Sequence, residues 1–298
     1  MKIVPSPYAA RLTRTPVVQH ETAVDGVRAS WWEYGLPGEG PALLLVHGFR
    51  GDHHGLEPVV AFLPGAHVVA PDLPGFGASE PLPGTHSIDG YAAWLARFAA
   101  EVGLGPETVV LGHSFGSIVV AKALADGLPA ARAILVNPIA APALAGPNAV
   151  GTRLASLYYA IGERLPERPG RALLDHPAIV RGAGAFLAKT KDRALRRWIH
   201  DQHDRYFSGY ASRRVVLEAY TASVTHDVSE WRDALTLPVH LIAGEHDDIT
   251  ALADVQALAA ALPDATIAVI RDVGHLIHYE TPEQAAREVA AFAGIPAS

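Results

Sequence analysis

The chain has 298 residues, of which 49% are hydrophobic and 18% charged, with 27 glycines and 23 prolines. That composition belongs to a compact folded chain with many turns and excludes disordered and fibrous classes. A formal charge of −7 argues against a nucleic-acid or anionic-membrane partner, and the lack of cysteine removes disulfides, thiolate catalysis and cysteine metal ligands.

The opening segment "MKIVPSPYAARLTRTP" holds no apolar core of signal-peptide length. No window approaches the roughly 18 apolar residues of a membrane span, so the expected location is the cytoplasm. Residues 17–35 alternate in polarity and end in "ASWWEYG", which reads as two antiparallel strands. Short continuous apolar runs follow: "ALLLVHG" at 42–48, "HVVAPDL" at 67–73, "TVVLGHS" and "RAILVNP" at 132–138. Runs of this kind suit strands buried on both faces. Between them, Tyr91, Trp94, Leu95, Phe98 and Val102 recur at helical spacing, with Gly103 closing the helix, and Phe115 to Leu124 reads as a second helix. Residues 139–231 carry no buried-strand run and are too long for a plain loop. Patterns such as "LASLYYAIGERL" and "RALRRWIHDQHDRYF" predict a helical insertion there, placed over the carboxyl ends of the strands. "PVHLIAGEH" at 238–246 and "ATIAVIRD" at 265–272 resume the strand pattern. The final helix begins at "TPEQ", with Thr281 as N-cap, Pro282 at N1 and Gln284 placed to close a capping box. Strands alternating with helices predict a mostly parallel α/β sheet covered on both faces, formed by 1–138 and 232–298.

"GHSFGS" interrupts this order with a small polar residue, Ser114, between Gly112 and Gly116. A strand-to-helix loop with a serine N-cap is the plain reading. The flanking strand and helix favour a sharp turn that lifts the hydroxyl above the sheet, and glycines two residues away on each side let the chain reverse. Here the sequence resembles the α/β-hydrolase superfamily along nearly its whole length. "LLLVHGFRG" is similar to that family's oxyanion loop, "APDLPGFGAS" to its D-x-x-G-x-G-x-S loop, and "GHSFGS" to its nucleophile elbow. "LIAGEHDDI" and "VGHLIHYETPEQ" are similar to its acid and histidine loops. Ser117 departs from the glycine often found after the elbow.

The resemblance implies a Ser-Asp-His order. Ser114 is the expected nucleophile, His275 the base, and Asp247 the acid, by its register to a strand end. Asp248 and Glu245 are its competitors, and Asn137 stands where some relatives carry the acid. His278 is the nearest rival to His275. His113 is expected to turn away from the hydroxyl, and His47 to brace its loop. The backbone amides of Phe49 and Phe115 are the expected oxyanion hole. Phe49, Phe115, Tyr158, Tyr159, Trp198 and Phe207 are the expected pocket residues.

Fifteen histidines raise the question of a metal, with His53, His54, His200, His203 and Asp72 as candidates. No H-E-x-x-H pattern occurs. His200 and His203 share a segment with alternating charges that reads as a solvated helix face, and Asp72, Gly75 and Gly77 read as turn architecture. The expectation is therefore a serine hydrolase acting on a small, fairly apolar ester, lactone or related acyl compound, with no cofactor, metal, nucleic-acid or membrane partner. A carbon–carbon bond hydrolase, or a slow-turnover ligand sensor with the same fold, is the alternative.

Overall fold

The computed structural model describes residues 3–38, 40–143 and 149–295. Eight strands form one sheet: β1 (Val17–Val24), β2 (Val27–Tyr34), β3 (Leu43–Val46), β4 (Val68–Pro71), β5 (Val109–His113), β6 (Arg132–Val136), β7 (Val239–Gly244) and β8 (Ala265–Ile270). Their order is β1-β2-β4-β3-β5-β6-β7-β8. β1 with β2 and β2 with β4 are antiparallel, and every other pairing is parallel.

The continuous apolar runs follow from the strand period of two. In β3, Leu44 and Val46 join the core under the helices Ile88–Glu101 and Phe115–Ala125. Leu43 and Leu45 join the opposite core, under Glu57–Val60 and Pro282–Ala293. β5, β6 and β7 divide their side chains between the same two cores. β8 closes the sheet as an edge strand, and Ile267 and Val269 on it reach solvent.

β3 lies between β4 and β5, so the connections leave this part of the sheet in opposite directions. In open α/β sheets, the carboxyl ends of strands at such a reversal border a crevice. Ser114 follows β5 directly at that point.

Among the described residues, five α-helices, Ala149–Arg164, Glu167–Leu174, Pro177–Leu187, Arg193–Tyr206 and Arg213–Thr225, and a 3₁₀ helix, Val228–Ala234, stand between β6 and β7. Residues 144–148 of the expected insertion lie outside the described residues. The block is tied to the loop after β4 by the Phe76–Tyr210 bridge and by backbone bonds from Gly77 to Gly209 and from Ala211 to Gly75, both 2.8 Å. Among the described residues, no helix is long and apolar enough to cross a membrane.

The predicted capping box at the last helix does not form. A short helix, Ile277–Glu280, runs directly into Thr281, whose hydroxyl donates back to the Ile277 carbonyl at 3.4 Å. The side chain is therefore engaged on the preceding turn rather than on the amides ahead of it.

Candidate active site

Ser114 has φ +53° and ψ −119°. A non-glycine residue holds such a conformation only where its surroundings impose it, at about 1–3 kcal/mol. The glycines make this possible. A Cβ at Gly112 would lie 2.4 Å from the Gly116 carbonyl oxygen, and one at Gly116 would lie 2.3 Å from the Val46 oxygen. Gly116→Ala is expected to lower stability by about 1–3 kcal/mol through overpacking against backbone. A urea midpoint equal to wild type would show that the turn yields without penalty.

The structure brings Ser114, His275 and Asp247 together. Ser114 Oγ and His275 Nε2 are 2.8 Å apart, and His275 Nδ1 is 2.8 Å from Asp247 Oδ2. A carboxylate only accepts, so Nδ1 carries the proton and Nε2 is left to accept from the serine hydroxyl. The second Asp247 oxygen accepts from the Ile249 amide at 2.7 Å and the Thr250 amide at 3.3 Å, which holds the carboxylate plane. Asp248 pairs instead with Lys189, and Glu245 accepts from the Asp272 amide at 3.1 Å. These two competitors therefore point away from the imidazole.

Three further groups hold this arrangement. Asn137 donates from Nδ2 to the carbonyls of Gly274 at 3.0 Å and His275 at 2.9 Å, and its Oδ1 accepts from the Gly244 amide at 2.8 Å. One side chain thus fastens the histidine loop to the end of β7. Ser117 donates to the Ser114 carbonyl at 2.6 Å and accepts from the Ile139 amide at 3.2 Å. His47 braces its loop as expected: Nδ1 donates to the Gly48 carbonyl and Nε2 accepts from Leu73, both at 2.8 Å. The Phe49 and Phe115 amides take part in no hydrogen bond among the described residues.

His113 and His278 line the same cavity but take no part in the Ser114–His275–Asp247 line. His113 Nε2 faces the His275 carbonyl at 3.3 Å, and the His278 ring meets His113 edge-on at 4.2 Å. Burial, reinforced by the neighbouring His275, pushes His113 down to about 3. Burial also pushes His278 well below the ordinary histidine range. Unfolded, both would take up a proton near pH 6.5. Their neutral burial therefore stabilises the fold above that pH, and the contribution is lost as pH falls from there toward the folded values. His278→Leu is expected to gain stability relative to wild type below about pH 6.5, by up to about 1.4 kcal/mol per pH unit. Urea titrations at pH 7.5, 6.5 and 5.5 measure this, and a difference independent of pH would refute it.

A cavity of about 550 Å³ opens at Ser114 and His275. Phe49, Phe115 and Phe207 line it. The other expected pocket residues do not. Trp198 sits one helical turn before Gln202, and the N-terminal segment closes over it, so its ring packs on Tyr8 at 5.3 Å and on Tyr279 at 5.2 Å. Tyr158 donates to the Leu173 and Leu174 carbonyls of the next helix. Tyr159 lies behind Tyr220, stacked on it at 3.8 Å, and it is Tyr220 that reaches the cavity. His203 also lines the cavity and is buried with Asp201 and Gln202, so this part of the helix is not the solvated face expected. Its burial follows from amphipathicity: the helix turns Ile199, Gln202 and His203 inward and Arg193 and Arg197 outward.

Arg50 lines the cavity with no carboxylate partner among the described residues. Nε donates to the Phe207 carbonyl at 2.9 Å, and one terminal nitrogen donates to the Leu174 carbonyl at 3.1 Å. Both carbonyls stand at helix C-terminal ends, where the partial negative charge of the helix dipole answers the buried cation. Of the metal candidates, His53 Nδ1 faces Asp72 at 2.9 Å and His54 Nδ1 faces Asp52 at 3.2 Å, with ligand atoms of Asp52, His53 and His54 within 4.8 Å of one another, while His200 Nδ1 is buried without a partner among the described residues. Asp72 also accepts from the Ala78 amide, as befits turn architecture.

Known proteins share this plan. Residues 43–289 match the Alpha/beta hydrolase family. Similar proteins include the 2-succinyl-6-hydroxy-2,4-cyclohexadiene-1-carboxylate synthase of Salmonella typhimurium, 29% identical over 252 residues, spanning 83% of this chain and 91% of the relative. The esterase EaEST from Exiguobacterium antarcticum superposes with a TM-score of 0.74 at 16% identity, covering 92% of this chain and 98% of its own. A thermophilic esterase from Thermogutta terrifontis superposes with a TM-score of 0.71 at 24% identity, covering 95% and 100%. These two likenesses concern the fold. The match itself runs from the first residue of β3 into the last helix, and on that extent the chain belongs to the alpha/beta hydrolase family.

Proposed function

We propose that the protein is a serine hydrolase that cleaves a small carboxylic ester with an apolar acyl group. The observation that carries this reading is the hydrogen-bonded line from Ser114 through His275 to Asp247, opening on a largely apolar cavity. Ser114 Oγ attacks the carbonyl carbon as His275 Nε2 takes its proton. Asp247 stabilises the imidazolium and fixes its tautomer. The Phe49 and Phe115 amides receive the oxyanion as dipoles already in place. The ester C–O bond breaks, His275 returns the proton to the leaving oxygen, and water then releases the acid by the same route. The helices between β6 and β7 act as a cap that shapes the acyl site through Phe207 and Tyr220.

The synthase relatives suggest a second reading, a reaction on a polycarboxylate, since their name specifies a succinyl group and a carboxylate. The cavity supports it poorly. Arg50 is committed to helix ends, and the carboxylates Asp52 and Asp248 share the lining. The deciding experiment pairs fluorophosphonate labelling with turnover of a chromogenic butyrate ester. Labelled protein that hydrolyses the ester supports the proposal, and protein that neither labels nor hydrolyses overturns it.

A further inference from the structure

The cavity lining draws on two separate clusters of opposite character. At one end Phe115, Ile139 and Tyr220 belong to the large core under the Phe115–Ala125 helix. Several polar atoms there are tied up internally: Tyr220 Oη lies 2.8 Å from Ser156 Oγ and 3.4 Å from the Thr152 carbonyl, and Ser223 donates to the Tyr220 carbonyl at 2.8 Å. At the other end Leu276 and Tyr279 belong to a separate small cluster with Trp198 and Ile199. Asp52, Gln202, His203, Tyr206 and His278 share that end of the lining.

Its polar groups keep free donors and acceptors. His278 is 5% exposed, and its Nδ1 is buried with no partner among the described residues. His203 is 6% exposed; its Nδ1 donates to the Ile199 carbonyl at 2.8 Å, so Nε2 is an acceptor without a donor. Asp52 uses only Oδ1, toward His54. The Gln202 amide and the Tyr206 and Tyr279 hydroxyls engage nothing among the described residues. Among these, His278 Nδ1 is the buried atom without a partner, and Gln202 and Tyr206 carry unengaged polar heads at the cavity lining; buried polar groups are ordinarily paired, so such a set beside Ser114 points to a ligand that pairs it.

The position says which part of a substrate this is. His275 delivers its proton to the departing oxygen, so the alcohol leaves on the His275 side. Leu276, His278 and Tyr279 follow His275 within one short segment and form that side. The mixture says what chemistry it takes. Asp52 and His203 accept, and Gln202, Tyr206 and Tyr279 can donate. A hydroxyl both donates and accepts and suits all of them, whereas an anionic group would meet the Asp52 carboxylate. Burial opposes the Asp52 charge, but the His54 bond and nearby imidazoles hold its carboxyl below the usual range.

We propose that this end of the cavity is an alcohol subsite, and that the enzyme prefers esters of neutral polyols, such as glyceryl monoesters, over esters of simple alkanols. The proposal rests on the ester-hydrolase reading above. The test compares kcat/KM for glyceryl monobutyrate and ethyl butyrate in wild type, Gln202→Leu and Tyr206→Phe. Wild type is expected to favour the glyceryl ester by about tenfold or more, the equivalent of one to two hydrogen bonds. Each variant is expected to cut the glyceryl-to-ethyl ratio about three- to tenfold. Tyr206→Phe keeps the ring stacked on His54 at 4.0 Å and removes only the hydroxyl. A purely structural role would lower both substrates together and leave the ratio intact, which overturns the subsite. Ethyl butyrate cleaved with no glyceryl preference also overturns it, while the hydrolase reading stands. If neither ester is cleaved and Ser114 resists fluorophosphonate, both readings fall.

Discussion

Ser114→Ala is expected to lower kcat on the order of 10⁶-fold with the fold intact. The size of the effect follows from the nucleophile having no substitute in reach. His113 is turned to the His275 carbonyl, and the Ser117 hydroxyl is spent on the Ser114 carbonyl. The fold should persist because the hydroxyl has one side-chain partner, His275, and the turn is shaped by Gly112 and Gly116. Alanine must hold the same φ of +53°, so backbone strain is unchanged. Two measurements check this: steady-state turnover of a butyrate ester, and a urea midpoint within about 0.5 kcal/mol of wild type. A variant that retains activity or covalent labelling would remove Ser114 from its assigned role. A variant that fails to fold would mean the hydroxyl is structural.

Much of this site was legible in the sequence because its constraints are local. The strands announced themselves since both faces of β3, β5, β6 and β7 are buried, which forces continuous apolar runs. The elbow was legible because close approach of backbone to Gly112 and Gly116 permits no side chain. Asp247 followed from its distance past the end of β7.

What stayed hidden depends on how distant segments dock. Trp198 was an expected pocket residue and Tyr220 was not, but the lie of the helices between β6 and β7 decides which one lines the cavity, and no spacing within either helix encodes that. His203 was misplaced for a related reason. The polar end of the cavity buries polar residues, so the inward face of helix Arg193–Tyr206 does not stand out by hydropathy. Asn137 could be seen only as a residue unable to serve as the anion. Its three hydrogen bonds, which join β7 to the histidine loop, require contacts across more than a hundred residues of sequence.

Asp247→Asn is expected to lower kcat by about 10⁴-fold, while its neighbour Asp248→Asn changes it by less than about tenfold. The contrast between adjacent residues is the informative part. Asp247 is 3% exposed at the side chain and receives the His275 Nδ1 proton, which leaves Nε2 free to accept from Ser114. An asparagine there can turn its NH₂ toward Nδ1, which then must accept. The ring proton moves to Nε2, and the base faces Ser114 with a hydrogen instead of a lone pair. The imidazolium that forms during attack also loses its counter-charge. Asp248 has a different job. Its partner is Lys189, and both side chains are roughly a third exposed, where an ion pair contributes about 0–1 kcal/mol. It also lines the cavity, so its loss should register in KM more than in kcat. Single-turnover rates of acylation on both variants separate these effects, because acylation needs the tautomer and substrate affinity does not. Ser114 should remain slowly reactive toward fluorophosphonate in Asp247→Asn. If Asp248→Asn were the slower enzyme in acylation, the carboxylate that orients His275 in solution would be Asp248, and the geometry of the β7 loop assigned here would be wrong.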